Sequence, residues 1–253
     1  MRQKITTMIK LTTLILSALG ALLSPGPGAM ASPKNPEFST ASAPATAALD
    51  RWRAQAPAQT LIRQALAQQS ALLHDARSPV RHDDGAVSIV LFADYQCLFC
   101  ARAAPLLEHF VQAVPETRVV FKEWPIFGDR WPVSQEAART GLAIWQQKGE
   151  VAYWQYHNAV FATGHYEGAL TRADLTKVLS SLKLSELTPI QPQIDTELVS
   201  TAQLADTMGL RGTPAIIVMP TRGATGTTTT VLPGMPDITI LAAAVQRAKG
   251  GHP

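Results

Sequence analysis

The chain has 253 residues, of which 46% are hydrophobic and 16% are charged, with 22 Lys and Arg against 19 Asp and Glu. Three of the basic residues and none of the acidic ones lie in the first 31 positions, which leaves 19 of each sign in the remainder. This neutral balance excludes a protein that binds nucleic acid through its net charge, and no nucleic-acid partner is expected.

Residues 1–31 have the features of a secretory signal peptide. Three basic residues flank the start of an apolar run at 11–23, and Ala29-Met30-Ala31 supplies small residues for cleavage. The run is short for a membrane span, and no other stretch of the sequence is long enough for one. We therefore expect cleavage after Ala31 and a soluble mature protein in the periplasm.

The mature chain begins with a predicted extension of two parts. Residues 32–57 are predicted to be a disordered tether, since 32–48 is mostly Pro, Ala, Ser and Thr without periodicity and only 49–56 favours a short helix. A longer helix is predicted within 58–80. Its seam follows a 4-3-4 spacing through Ile62, Leu66, Gln69 and Leu73. Two interpretations remain open: the helix packs on its own domain, or it is a stalk that joins protomers.

Both cysteines of the chain lie in one Cys-x-x-Cys motif, between a β-rich apolar run and a helical pattern. That order places Cys97 at a helix N-terminus, where free backbone N–H groups and the helix dipole stabilise a thiolate. Cys97 is therefore predicted to be acidic, exposed and nucleophilic. Cys100, one helical turn later, is placed to resolve a mixed disulfide formed by Cys97.

Other interpretations of the motif are a zinc site and an inert structural disulfide. Structural zinc usually has four ligands, and the sequence has no second cysteine pair and no closely spaced histidine pair. A disulfide this short removes little chain entropy from the unfolded state. Redox chemistry without a metal or cofactor is the favoured interpretation. No two of the six histidines have the spacing of a zinc-ligand pair; they are His74, His82, His109, His157, His165 and His252.

The rest of the chain alternates between sheet and helix patterns. Strands are predicted at 117–124, 213–219 and 228–232, and a final helix at 237–249. Between the strands at 117–124 and 213–219, residues 132–208 are predicted to be helical. Helices are predicted at 135–147, 151–162, 172–182 and 193–208, separated by glycines and prolines, and Thr171 to Asp174 resembles a capping box.

Several motifs resemble the thioredoxin fold and, within it, the DsbA family of bacterial envelope proteins. The string from Leu91 to Cys100 is most similar to the branch of suppressor-of-copper-sensitivity C proteins, and Pro105 and the Trp124 to Gly128 segment also match the family. The resemblance implies an α/β thioredoxin fold with an N-terminal helical extension. The thioredoxin-like domain would be formed by 81–131 and 209–253, and 132–208 would be an inserted helical subdomain.

The resemblance also implies roles for residues around the cysteines. Pro214 is expected to be cis and to face the motif, with Thr213 contacting substrate. Leu98 and Phe99 are apolar where relatives often have proline and histidine, which suits contact with unfolded substrates. They have no side-chain donor for the Cys97 thiolate.

Two carboxylates are candidates for a proton relay. Asp94 precedes the motif and either has a functional role or caps the turn. The buried glutamate common in the family is replaced by Leu91, and Glu123 on the neighbouring strand is the candidate substitute. The alternative is that Glu123 lies at a solvated strand end, paired with Lys122.

The expected function is a periplasmic thiol-disulfide oxidoreductase that acts on unfolded or misoxidised proteins and is recycled by a membrane redox partner. The additional helix, Thr213 and the lack of a histidine within the motif favour an isomerase or reductase that forms a homo-oligomer. A monomeric dithiol oxidase is the alternative. A further alternative is a copper(I)-binding tolerance protein, for which His157 and His165 could be ligands if they are not packing residues.

Overall fold

A computed structural model describes residues 41–187 and 192–250 of the chain. The predicted signal peptide at 1–31 and the first part of the predicted tether lie outside the described residues. Within the described ranges, no helix combines the length and the apolar character needed to cross a membrane.

A five-stranded sheet with the order β1-β3-β2-β4-β5 forms the centre of the molecule. β2 is parallel to β3 and antiparallel to β4, and the outer pairs β1 with β3 and β4 with β5 are antiparallel. All seven residues of β2 are buried, as expected for a central strand covered on both faces. The strands are β1 (Val80–Arg81), β2 (Val87–Ala93), β3 (Thr117–Glu123), β4 (Ala215–Pro220) and β5 (Thr230–Pro233).

Eight helices surround the sheet in the described residues. They are α1 (Ala43–Arg53), α2 (Ala56–Ala67), α3 (Gln69–Leu73), α4 (Leu98–Ala113), α5 (Val133–Ala162), α6 (Arg172–Ser181), α7 (Pro192–Met208) and α8 (Ile238–Ala248).

Alternation along β2 divides the core into two layers. Ile89 and Leu91 join the cluster formed with α1, α4, α5, α6 and α8, whereas Val90 and Phe92 join the cluster formed with α2, α3 and α7. The order β2-α4-β3, then helices, then β4-β5-α8 confirms the predicted α/β thioredoxin fold with helices inserted between its two halves.

The helices between β3 and β4 follow the predicted boundaries closely. Two helices predicted at 135–147 and 151–162 form the single element α5, which is interrupted at Gly149 with φ 77°. The predicted cap of α6 is a complete capping box, in which Thr171 and Asp174 bind each other's backbone N–H.

The prediction of a disordered tether over 32–57 is wrong from residue 43 onward, where α1 and then α2 begin. Ser42 caps α1 by accepting a hydrogen bond from Ala45 N at 3.3 Å, and a proline occupies the first turn. Alanine is a strong helix former, and Leu49 is buried in the core. The low-complexity composition therefore concealed a packed helix.

The predicted helix within 58–80 also differs from the structure. It breaks at Gln68 and ends at Leu73, and Val80, the last residue of the 58–80 range, begins β1. Ile62 and Leu73 are buried in the cluster beneath α7, and Leu66 packs against that cluster. The apolar seam therefore packs within its own chain, as the first interpretation predicts, and a stalk that joins protomers stays a prediction.

Candidate active site

The active-site turn connects the end of β2 to the start of α4. Cys97 is the N-cap residue of α4, and its Sγ accepts a hydrogen bond from Cys100 N at 3.3 Å. An N-cap acceptor satisfies one of the backbone donors that a helix leaves free at its start. The sequence therefore places the first sulfur where a negative charge is stabilised.

The pKa of Cys97 is lowered from 9.0 to about 6. The largest cause is a hydrogen bond from the Cys100 side chain, and the backbone N–H groups at Cys100 and Phe99 act in the same direction. The predicted acidity is thus present in the structure. The predicted exposure is wrong, because Cys97 is only 4% exposed, with its Sγ 3.3 Å from the carbonyl oxygen of Thr213.

Cys100 has the opposite character. Burial raises its pKa well above 9.0, and its donation to Cys97 raises it further. Both cysteines are free in this structure, which is therefore the reduced form. An acidic sulfur followed by a buried thiol one helical turn later is the arrangement required for attack and then resolution.

The Thr213-Pro214 peptide bond is cis, as predicted. The Thr213 carbonyl oxygen faces the Cys97 sulfur, and the Pro214 carbonyl accepts a hydrogen bond from Gly234 N at 2.8 Å. The loop before β4 is thereby held against the active-site turn. The substrate contacts assigned to Thr213 and Pro214 stay predictions.

Asp94 is buried and caps the active-site turn. One carboxylate oxygen accepts a hydrogen bond from Gln96 N at 2.7 Å, and the other accepts one from Phe127 N at 2.9 Å. Burial raises the pKa of Asp94, although these two backbone donors oppose the shift. Of its two predicted roles, the capping role is visible in the structure, and its part in a relay stays a prediction.

Glu123 is buried, so its interpretation as a solvated strand end is wrong. Its Oε1 accepts hydrogen bonds from the hydroxyl groups of Tyr95 at 2.9 Å and Tyr153 at 2.6 Å. Lys122 turns away from it and donates to Ser78 Oγ at 2.7 Å. Burial raises the pKa of Glu123 to about 8. A proton-carrying acid is thus joined through Tyr95 to the active-site turn.

Sequence reasoning missed the aromatic surroundings of this acid. Tyr95 OH also lies 3.3 Å from Nδ1 of His157, which is enclosed by aromatic rings and has its pKa lowered by burial to about 3. Tyr95 belongs to the motif quoted above, which was a usable signal. Tyr153 and His157 lie on α5, and nothing in their local sequence indicates the contact.

The two histidines considered as copper ligands are not brought together in a metal site. His157 is a packing residue, and His165 Nδ1 lies 3.0 Å from Asp174 Oδ2. Across residues 41–187 and 192–250, no three His, Cys, Asp or Glu side chains are grouped to hold a metal ion.

The two residues between the cysteines differ in exposure. Leu98 is half-buried, whereas Phe99 is 52% exposed and has the Arg102 guanidinium 5.7 Å from its ring centre. An exposed aromatic ring beside a nucleophilic sulfur can contact apolar side chains of a substrate.

This fold and this cysteine pair define a dithiol redox centre of the thioredoxin type. The family model described as "DSBA-like thioredoxin domain" matches residues 88–246, which is more than half of the chain. The chain belongs to the DsbA-like thioredoxin-domain family, whose members include thiol-disulfide oxidoreductases.

Solved structures agree with this assignment. The chain is 36% identical to BcfH of Salmonella enterica Typhimurium, with a TM-score of 0.69 over 82% of this chain and 88% of that one. It is 25% identical to the catalytic domain of Proteus mirabilis ScsC, with a TM-score of 0.65 over 75% and 99% of the two chains. A thioredoxin-like oxidoreductase from Silicibacter pomeroyi is 28% identical, with a TM-score of 0.59 over 73% and 99%.

Among curated proteins, the chain is 28% identical over 101 residues to two Na(+)/H(+) antiporter NhaA proteins, from Salinispora tropica and Salinispora arenicola. The aligned part covers 40% of this chain and only 14% of each antiporter.

Proposed function

We propose that the protein is a periplasmic thiol-disulfide oxidoreductase that acts on protein substrates through Cys97 and Cys100. The observation that carries this proposal is the pairing of an acidic sulfur at the start of α4 with a buried thiol one turn later. The signal-peptide pattern of residues 1–31 supports the location.

The proposed reaction begins with attack of the Cys97 thiolate on one sulfur of a substrate disulfide. A Cys97–substrate disulfide forms, and the other substrate sulfur leaves as a thiolate. Cys100 then loses its proton and attacks the Cys97 sulfur, which releases the second substrate sulfur as a thiolate. The substrate gains two electrons, and the enzyme is left with a Cys97–Cys100 disulfide. The same steps in reverse oxidise a dithiol substrate.

We further propose that Glu123 takes part in the proton transfer at Cys100. Its pKa of about 8 allows it to exchange a proton near neutral pH, and Tyr95 connects it to the active-site turn. A carboxyl group that titrates near neutrality inside the protein suits a step that moves one proton to or from a buried thiol.

The proposed direction is isomerase or reductase, supported by Thr213 before the cis-proline and by the lack of a histidine between the cysteines. In this role a membrane redox partner keeps the pair reduced. The second candidate, a monomeric dithiol oxidase, is supported by the packing of α2 on its own domain, because the apolar seam of α2 contacts side chains of the same chain.

Ribonuclease refolding separates these proposals. The wild-type protein is expected to rescue scrambled ribonuclease, Cys97→Ser to be inactive, and Cys100→Ser to accumulate mixed disulfides with substrate. Equal activity of the wild type and Cys97→Ser would overturn the enzymatic proposal. Oxidation of reduced ribonuclease without rescue of the scrambled form would replace the isomerase proposal by the oxidase one.

A further inference from the structure

Gln96, the residue before the nucleophile, binds the loop that connects α5 and α6. Its backbone oxygen accepts a hydrogen bond from Glu167 N at 2.9 Å, and its side-chain oxygen accepts one from Gly168 N at 2.8 Å. Its side-chain amide donates to Leu170 O at 3.3 Å. Three hydrogen bonds from one buried residue therefore fix residues 164–170, the rim loop, to the active-site turn.

The rim loop has a backbone conformation that few sequences can adopt. Glu167 has φ 54° and Gly168 has φ 97°. A Cβ atom at Gly168 would lie 2.8 Å from Nε1 of Trp131, so only glycine fits against that ring. A non-glycine residue at positive φ is held there by its surroundings, here by the bond from Glu167 N to Gln96.

The backbone of Glu167 lies beside the active-site turn. Glu167 is exposed, and its side chain makes no hydrogen bond or ion pair with other residues that the structure describes. Through the bond from Glu167 N to Gln96 O, its Cα lies within about 8 Å of the Cys97 Cα along the connecting bonds.

Other charged side chains lie near this rim and keep their charge. His165, on the same loop, is paired with Asp174. Arg102 lies over the Phe99 ring on α4, and Arg130 lies over the Trp131 ring. Glu167 is the acidic residue of the rim loop, and its exposed side chain is available to contact a substrate.

We propose that Glu167 is a specificity-determining residue, which favours substrates with Lys or Arg beside the reacting cysteine, and that Gln96 is the positioning residue that holds it there. This inference rests on the proposed thiol-disulfide exchange at Cys97. The proposed substrates are proteins with a cationic segment beside the reacting cysteine, since a carboxylate at the rim attracts cationic segments and repels acidic ones.

Exchange rates with two matched peptides test the inference. The peptides contain one disulfide and differ only in having Lys or Glu next to a cysteine. At low salt the wild type is expected to react about two- to fivefold faster with the Lys peptide, the range expected for an exposed ion pair. Glu167→Gln should bring the two rates together, and Glu167→Lys should reverse the order. At 1 M salt the wild-type preference should disappear.

Asp84→Asn is the matched control, since it changes the net charge by the same amount as Glu167→Gln. Asp84 is exposed and precedes β2, whereas Cys97 follows it, so the length of the strand separates them by about 20 Å. This variant should keep the wild-type preference. Gln96→Ala should reduce the preference for the Lys peptide although Glu167 is retained. If that variant does not fold, the comparison of Glu167→Gln with Asp84→Asn still decides whether Glu167 sets the preference.

The outcomes separate the two proposals. Equal wild-type rates for both peptides, or an equal loss of preference in Asp84→Asn and Glu167→Gln, would overturn the role of Glu167 and leave the exchange activity intact. No exchange with either peptide would overturn the proposed function itself.

Discussion

The Cys97 sulfur accepts hydrogen bonds from the Cys100 side chain and backbone, and these donors are the reason for its pKa of about 6. We expect the rate of Cys97 alkylation by iodoacetamide to rise with pH and to reach half of its maximum near pH 6. Because the Cys100 thiol is the largest cause, Cys100→Ala should move the midpoint upward. A wild-type midpoint near that of a free cysteine would contradict the proposed activation.

Glu123 should make the stability of the oxidised protein depend on pH. Its pKa is about 8 in the folded chain against 4.5 ordinarily, so between these values the unfolded chain releases a proton that the folded chain keeps. The stabilisation is complete below pH 4.5 and is lost as the pH rises through 8. The free energy of unfolding should therefore fall by up to about 1.4 kcal/mol per pH unit in this window.

Urea unfolding of the oxidised protein at pH 5 and pH 8 measures this dependence without interference from the thiols. Glu123→Gln should lack this contribution, because the amide does not titrate, so the difference in slope between wild type and variant isolates Glu123 from other groups such as His157. Glu186→Gln is the control, since Glu186 is exposed and should leave the wild-type slope unchanged. The same slope in wild type and Glu123→Gln would mean that Glu123 is already ionised in the folded protein.

At the scale of elements, α1 covers the open edge of the sheet at β5. Trp52 Nε1 donates to Val231 O at 2.8 Å, and the guanidinium of Arg53 binds the backbone oxygens of Gly226, Thr227 and Thr229. Unpaired carbonyl groups on an edge strand would otherwise require water or another strand as a partner. The N-terminal helix is thus part of the domain.

Replacement of Arg53 tests this contribution of α1. Arg53→Met keeps much of the apolar volume but leaves several backbone acceptors without their buried donor, so we expect a loss of about 2 to 3 kcal/mol in the free energy of unfolding. Arg51→Met is the matched control, because Arg51 is exposed on the same helix and should change stability by less than about 0.5 kcal/mol. Equal stability of the two variants would show that the edge contacts of Arg53 are dispensable.

The elements that periodicity predicted well are those with a strong local signal. α7 and α8 have long apolar patterns and clear ends, and their observed bounds differ from the predicted ones by at most one residue at each end. Only the end of α1 was predicted, from residue 49, because its Ala- and Pro-rich start resembles a linker, and only contacts with β5 and α8 show that the whole helix is packed. The two residues of β1 are too few for a periodic signal.

In the active site, some features were predictable from the local sequence and others were not. The cysteine pair and the cis-proline were predictable because the chemistry is in one motif and the resemblance supplied the rest. The surroundings of Glu123 depend on the parallel register that pairs it with Ala93 and on the path of α5 over the sheet. Neither the register nor that path is encoded in a short stretch of sequence.

For the whole molecule, the property that separates the isomerase proposal from the oxidase one is whether several chains assemble into an oligomer. The apolar side of α2 is buried against its own sheet, and α1 contacts the β5 edge, so neither of these two surfaces is open for assembly in the described residues. We therefore expect the mature protein, starting at Ser32, to have the mass of one chain in analytical ultracentrifugation at micromolar concentration. A shorter chain starting at Ser42 is the control and should give the same result. A multiple of the chain mass that is lost in the shorter protein would mean that residues 32–41 join protomers, and it would strengthen the isomerase proposal over the oxidase one.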